Sequence, residues 1–184
     1  MEITLPAKEK KYLKYVTIFH KQLGISEDYA VKRNLKLQIE AKKFVYVGME
    51  PRGRDHFLTP KAGKAWNKLL KSAKKDKIAL CLISGFRSVE RQAFLIDEII
   101  KKKQQTIEQV LQRLAAPGYS EHHTGRAVDL ADPSDPFLEE RFEHTEAFKW
   151  LVKYALDFGF KLSYPRENKN NIIYEPWHWC FAEE

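Results

Sequence analysis

The sequence predicts an α+β fold: a small, largely antiparallel sheet flanked by helices, in a single domain with a helical N-terminal extension. Three observations lead there. Helical and strand-like segments are mixed without the regular βαβ beat that builds a parallel sheet. The strand-like runs are short. A chain of 184 residues with 43% hydrophobic and 31% charged residues suits one hydrophobic core.

In chain order, residues 8–23 place Leu13, Val16, His20 and Leu23 along one helical stripe. His20 on that stripe reads as a helix-surface or core histidine. A second helical stretch is expected from Asp28 to Lys42. Phe44 to Val47 is short and β-prone, and Pro51–Arg54 with Gly53 reads as a turn. Thr59 followed by Pro60 marks a helix start, with the hydroxyl capping and the proline in the first turn; that helix runs to Lys75. The apolar run Ile78 to Ile83 suits a buried strand, ended by Ser84 and Gly85. Ser88 caps a helix through Lys103 that buries Ala93, Phe94, Ile96, Ile99 and Ile100. Thr106 and Gln109 form a capping-box pattern for a short helix to Ala115, and Pro117–Gly118 breaks the chain.

Alternation from Arg126 to Leu130 predicts a strand, and Pro133 and Pro136 mark a loop. Thr145 caps a helix carrying Phe148, Trp150, Leu151, Tyr154, Ala155 and Phe158, with Gly159 as its stop. Ile172 to Tyr174 and Trp177 to Phe181 read as closing strands. The expected division is an extension over 1–56, packed on a domain over 57–184.

Composition bounds the function. No run approaches the ~18 apolar residues of a membrane span. Met1 to Lys14 is polar and lysine-rich, without the apolar stretch of a secretory leader, so residence in the cytoplasm is the expectation. Cys81 and Cys180 lack CxxC spacing and cannot form a cysteine zinc cluster; reduced thiols are expected. Residues 1–77 hold 19 Lys/Arg against 8 Asp/Glu, and residues 78–184 hold 13 against 17. The basic front reads as a solvated lysine face on amphipathic helices. Few aromatics interleave with those lysines, so no nucleic-acid partner is expected.

Three segments gather catalytically able residues beside tight turns: Ser84 to Ser88, Ser120 to Asp129, and Glu175 to Trp179. Catalytic zinc takes three His or carboxylate ligands and keeps a position for water. His122, Asp129 and His178 supply such a set. His122 and Asp129 are an odd number apart, so a regular strand would send them to opposite faces, and Gly125 lets the chain bend between them. Glu175 and His178 need a similar bend, which Pro176 favours. Glu175 is then the natural base for a water proton, and Arg87 a candidate for an oxyanion or a substrate carboxylate. Spacing alone leaves plainer readings open. His178 between tryptophans also suits a core histidine, Glu175 a surface charge, and Arg87 a helix cap or the partner of an acid. His123 and His144 are weaker candidates, the latter in an acidic, exposed stretch.

The joint pattern narrows the choice. Ser-x-His-x6-Asp followed by Glu-x-x-His resembles the metallopeptidase family of the VanY D-alanyl-D-alanine carboxypeptidases, LD-carboxypeptidases and VanX-type dipeptidases. The segments SGFRSVERQ at 84–92, APGYSEHHTGRAVDL at 116–130, FGFKLSYP at 158–165 and EPWHW at 175–179 resemble that family in the same order. The resemblance spans roughly 57–181. It implies zinc ligands His122, Asp129 and His178, a general base Glu175, and a cationic Arg87 near the substrate carbonyl. It also implies Ser120 and Gln92 in the substrate pocket, and a small antiparallel sheet flanked by helices. Phe86, His123 and Cys180 depart from the family's usual Tyr, Gln and charged residue, which bears on substrate preference.

The function implied is a Zn2+-dependent carboxypeptidase that removes a terminal D-amino acid from peptidoglycan stem peptides or muropeptides. Two rivals differ in kind. A phage-lysin type endopeptidase would cut inside the stem, and a metal-stabilised binding module would not turn over at all.

Overall fold

The computed structural model describes residues 6–50, 53–170 and 172–182. Helix α1 (Ala7–Leu23) ends at Gly24 in the left-handed conformation, and α2 (Tyr29–Lys32) is a single turn. Strand β1 (Val45–Met49) pairs antiparallel with β2 (Asp55–Leu58) in a two-stranded ribbon. Helix α3 (Pro60–Lys75), β3 (Cys81–Ser84), α4 (Val89–Lys103) and α5 (Ile107–Leu111) follow. Then come β4 (Ala127–Ala131), α6 (Glu146–Tyr154), β5 (Phe160–Leu162) and β6 (His178–Phe181). The second sheet has four strands in the order β3-β4-β6-β5, every neighbour antiparallel. The α+β architecture read from the sequence is therefore the one observed.

Two cores hold it. In the larger, Val128 and Leu130 of β4 and Trp179 of β6 meet Trp66 and Leu69 of α3 and Leu151 of α6. The smaller joins Ile25 and Tyr29 to Ile96 of α4 and to Val110 and Leu111 of α5. The chain before β1 is thus part of the packing around α4 and α5. The expected boundary at 56/57 falls inside β2.

Helix starts follow side-chain chemistry. The Ser88 hydroxyl accepts from the Arg91 amide, Thr145 accepts from Phe148, and Thr106 with Gln109 completes the capping box. Thr59 differs from expectation. Its hydroxyl makes no cap bond and is buried without a partner, while its amide donates to Gly125 O.

Other departures have physical reasons. The helix expected from Asp28 to Lys42 stops after Lys32, and Asn34 turns left-handed at φ 49°. The following segment gives its amides to other loops: Gln38 N donates to Gly118 O and Ala41 N to His123 O. Phe94 was expected inside but is 54% exposed. The buried stripe of α4 is Val89, Gln92, Ala93 and Ile96, and Phe94 lies off it. The strand expected over Ile78–Ile83 begins only at Cys81, and the helix expected to reach Ala115 ends at Leu111. Residues 172–174 are irregular, and the closing partner of β6 is β5. Of the expected turn at Pro51–Arg54, residues 51 and 52 lie outside those described, and Gly53 N donates to Glu50 O.

Candidate metal centre

Asp129 projects from the middle of β4, and its register partner on β6 is His178. His122 comes from a 3-10 turn, Glu121–Thr124, that ends at Gly125 with φ 63°. That left-handed residue is the bend the odd spacing demanded. The Glu175–His178 bend is also present, closed by His178 N donating to Glu175 O at 3.1 Å.

The three side chains converge and are all buried. His122 Nε2 lies 3.0 Å from Asp129 Oδ2, and His178 Nδ1 lies 3.0 Å from Asp129 Oδ1. One donor atom from each fits within 4.8 Å of the others. A tetrahedral ion bound at 2.0–2.1 Å needs donor separations of about 3.3 Å, so the triangle fits zinc with little movement. The outer nitrogens are occupied: His122 Nδ1 meets Gly85 O at 2.7 Å, and His178 Nε2 meets Glu121 Oε2 at 3.0 Å. Such outer partners fix which nitrogen faces an ion.

Electrostatics set each group's state. Burial opposes the charge on Asp129, but the two histidines outweigh it and hold the carboxyl far below the usual range. Burial also opposes charge on His178, yet the Asp129 and Glu121 carboxylates push it up to about 10. Glu121 is held at about 2 despite its burial, by His178 and by the Ser163 hydroxyl. Glu175 moves the other way. Burial pushes it up to about 7, with the charge on His178 pulling back only in part. Its Oε2 is 3.8 Å from His178 Nδ1, beside the triangle and outside it.

Arg87 follows β3 and reaches over the site. Its guanidinium donates to Gln92 Oε1 and Ser84 Oγ, each at 2.9 Å, and lies 3.5 Å from Asp129 Oδ2. Gln92 is fully buried and also donates to Ala115 O at 2.6 Å, so it braces Arg87. Arg87, Gln92, Ser120, the triangle and Glu175 all line one cavity of about 380 Å³. Leu95, Ile99, Leu114 and Ile172 form its apolar wall, with Lys103 and Arg113 also in the lining.

Of the weaker candidates, His144 is exposed. His123 is fully buried, and both its ring nitrogens are engaged: Nε2 accepts from the Gly118 amide, so Nδ1 donates to Arg87 O. Burial lowers it to about 4, and it stands as a neutral scaffold residue. Two residues lay inside the quoted motifs without being singled out. Glu121 contacts His178, and Tyr164 packs its ring 4.9 Å from that of His178. Adjacency to His122 was the only sequence signal for Glu121. For Tyr164 there was none beyond its place in the FGFKLSYP segment.

Fold and site together define a buried two-histidine, one-carboxylate cluster able to hold a metal ion on an antiparallel sheet, with a further carboxylate at its side. The chain belongs to the VanY family, described as D-alanyl-D-alanine carboxypeptidase, whose model matches residues 55–184. It is 32% identical to YodJ of Bacillus subtilis (strain 168) over 158 residues, 84% of this chain and 57% of that relative. The chain thus spans little more than half of YodJ. It is 28% identical over 133 residues to VanXYC of Enterococcus gallinarum, a bifunctional D-Ala-D-Ala dipeptidase and carboxypeptidase, covering 70% of this chain and 68% of that one. Among solved structures, the LdcB LD-carboxypeptidase superposes with a TM-score of 0.68 at 29% identity, over 77% of this chain and 69% of its own. The vancomycin-resistance D,D-pentapeptidase VanY in complex with Zn(II) superposes at 0.61 with 25% identity, over 81% and 87%.

Proposed function

We propose that this protein is a zinc-dependent carboxypeptidase that removes a terminal D-amino acid, D-alanine, from peptidoglycan stem peptides. One observation carries the reading. Glu175 is a buried carboxylate raised to about 7 that opens onto the same cavity as the triangle without belonging to it. A binding module stabilised by metal has no use for a buried carboxylate beside the triangle, whereas a hydrolase needs one there to carry the proton of the attacking water.

The donors His122, Asp129 and His178 suit zinc in number and type. Zinc bound there would act as a Lewis acid, lowering the pKa of a water and polarising the scissile carbonyl. Glu175 takes a proton from the attacking water and returns it to the leaving amine nitrogen. Arg87, aimed by Gln92 and Ser84, offers its guanidinium to the oxygen that becomes negative or to the substrate's terminal carboxylate. Ser120 lines the cavity between Arg87 and His122 in chain order and supplies a polar contact for the substrate.

The relatives support this reading, since VanXYC acts on D-Ala-D-Ala and LdcB is an LD-carboxypeptidase. The buried, unpaired thiols Cys81 and Cys180 suit a reducing compartment, where recycled muropeptides are the available substrates. Fractionation that recovers the protein outside the inner membrane would reject that location.

The deciding experiment incubates zinc-loaded protein with tetrapeptide and pentapeptide stems and reads the products by mass spectrometry. Loss of one alanine from the pentapeptide marks D,D-activity, and from the tetrapeptide L,D-activity. A cut inside the stem marks an endopeptidase, and no product from either stem rejects hydrolysis.

A further inference from the structure

Glu121 has no part in the chemistry above, yet its carboxylate stands directly behind a ligand. Oε2 lies 3.0 Å from His178 Nε2 and accepts the Ser163 hydroxyl at 2.6 Å. The opposite nitrogen, Nδ1, is the one 3.0 Å from Asp129 and facing the triangle. A histidine offers an ion only the nitrogen that carries no proton, and its other hydrogen bond decides which that is.

The two histidines are held unequally. His122 leans on a neutral carbonyl, Gly85 O, whereas His178 leans on a full negative charge. The 3-10 turn makes this arrangement: successive residues are about 120° apart, so His122 enters the cavity while Glu121 passes behind His178. Ser163, one residue beyond β5, braces the carboxylate from a third element. Glu121 and Ser163 line a different cavity, of about 670 Å³, and neither lines the substrate cavity. Charge supplies a further reason. Asp129 is the only anion of the triangle, and the Arg87 guanidinium 3.5 Å away draws on it. A second carboxylate behind His178 offsets that loss.

We propose that Glu121, braced by Ser163, is a positioning residue for the metal centre. It keeps the His178 proton on Nε2 so that Nδ1 is the ligand atom, and it makes that ring the stronger donor. The proposal rests on the reading of the triangle as a zinc site. It is tested with Glu121→Gln, Glu121→Ala and Ser163→Ala in the full chain. The readouts are zinc affinity by chelator competition, the visible spectrum of the Co2+-loaded protein, and kcat and KM on a stem peptide.

Glu121→Gln keeps an acceptor oxygen without the charge and is expected to weaken zinc binding about tenfold. Glu121→Ala should lose ~10–100-fold and alter the cobalt spectrum. Ser163→Ala should move the same way by less. KM should hold in all three, and excess zinc should restore much of kcat. Circular dichroism of the zinc-stripped proteins separates this from a folding defect, and if Glu121→Ala does not fold, the isosteric Glu121→Gln decides. Zinc affinity within twofold of the parent together with an unchanged cobalt spectrum overturns the proposal. A parent that binds no zinc overturns the metal reading itself, and that result is distinct from a parent and variants that bind equally well.

Discussion

Glu175 is buried at a cost that its chemistry explains. Its usual carboxyl value lies near 4.5, and the folded protein raises it to about 7. Below pH 4.5 the group is neutral in both folded and unfolded chains. Between 4.5 and 7 the unfolded chain releases its proton first, so rising pH removes stability, and above 7 the loss is complete. Glu175→Gln should therefore raise the melting temperature of zinc-stripped protein at pH 8 by several degrees, on the order of 1–3 kcal/mol, and leave it unchanged at pH 4. The same variant should bind zinc nearly as well as the parent and lose ~10²–10⁴-fold in turnover. Peptidase activity close to the parent's would show that another group is the base. A parallel comparison concerns Arg87. Arg87→Ala should cost ~10²–10³-fold in kcat with zinc retained. Gln92→Ala should cost less, because it only releases one of the bonds that aim the guanidinium. Equal losses would mean that Gln92 touches the substrate itself.

At the scale of elements, the site is assembled by turns that permit close approach. Gly85 follows β3, and a Cβ there would meet Phe57 O at 2.9 Å, so only glycine lets this turn lie against β2. Its carbonyl is the acceptor that orients His122. Gly125 is left-handed, and a Cβ would stand 3.2 Å from Thr59 Cγ2 and 3.3 Å from Thr59 N. Gly125→Ala should lose about 1–2 kcal/mol of stability, read as a fall of roughly 2–8 °C in melting temperature. It should also weaken zinc binding, since His122 and Asp129 stand on either side of the bend; unchanged affinity would show that the turn is not what places His122. The elements also show where the sequence was legible. Ser88, Thr106 and Thr145 announced their helices because a cap is a local hydrogen bond. Leu35, Leu37 and Ile39 alternate with Lys36, Gln38 and Glu40, an extended period of two that contradicted the helix expected there. The short strand Phe160–Leu162 carried too little pattern to find, and its pairing with β6 is what makes it a strand.

Across the whole molecule, the N-terminal chain packs against the start of α4 and the segment 118–123 that carries His122. Val16 of α1 is fully buried, and a side chain at Gly118 would collide with it. Tyr15 donates to Glu90 in the first turn of α4, and Glu40 accepts the Val89 amide at the same helix end. Ala41 N donates to the His123 carbonyl, one residue from His122 of the triangle. Deletion of residues 1–24 should therefore lower the melting temperature by several degrees or more and reduce zinc affinity along with activity. A truncated chain equal to the parent in both would make the extension a passive appendage. The sequence by itself determined the fold class, the helix starts, the His122, Asp129 and His178 triangle, and Glu175 and Arg87 beside it. The helix starts rest on local chemistry. Spacing alone left plainer readings of the triangle, Glu175 and Arg87 open, and it was the joint order of four motifs resembling the VanY family that singled them out. Only the tertiary structure decided that Gln92 braces Arg87, that His123 is scaffold and that Glu121 stands behind His178. Each of these is a side-chain contact, across 57 residues for Glu121–His178 and only five for Arg87–Gln92, whose partner is set by packing and recorded by no hydrophobic period or capping pattern.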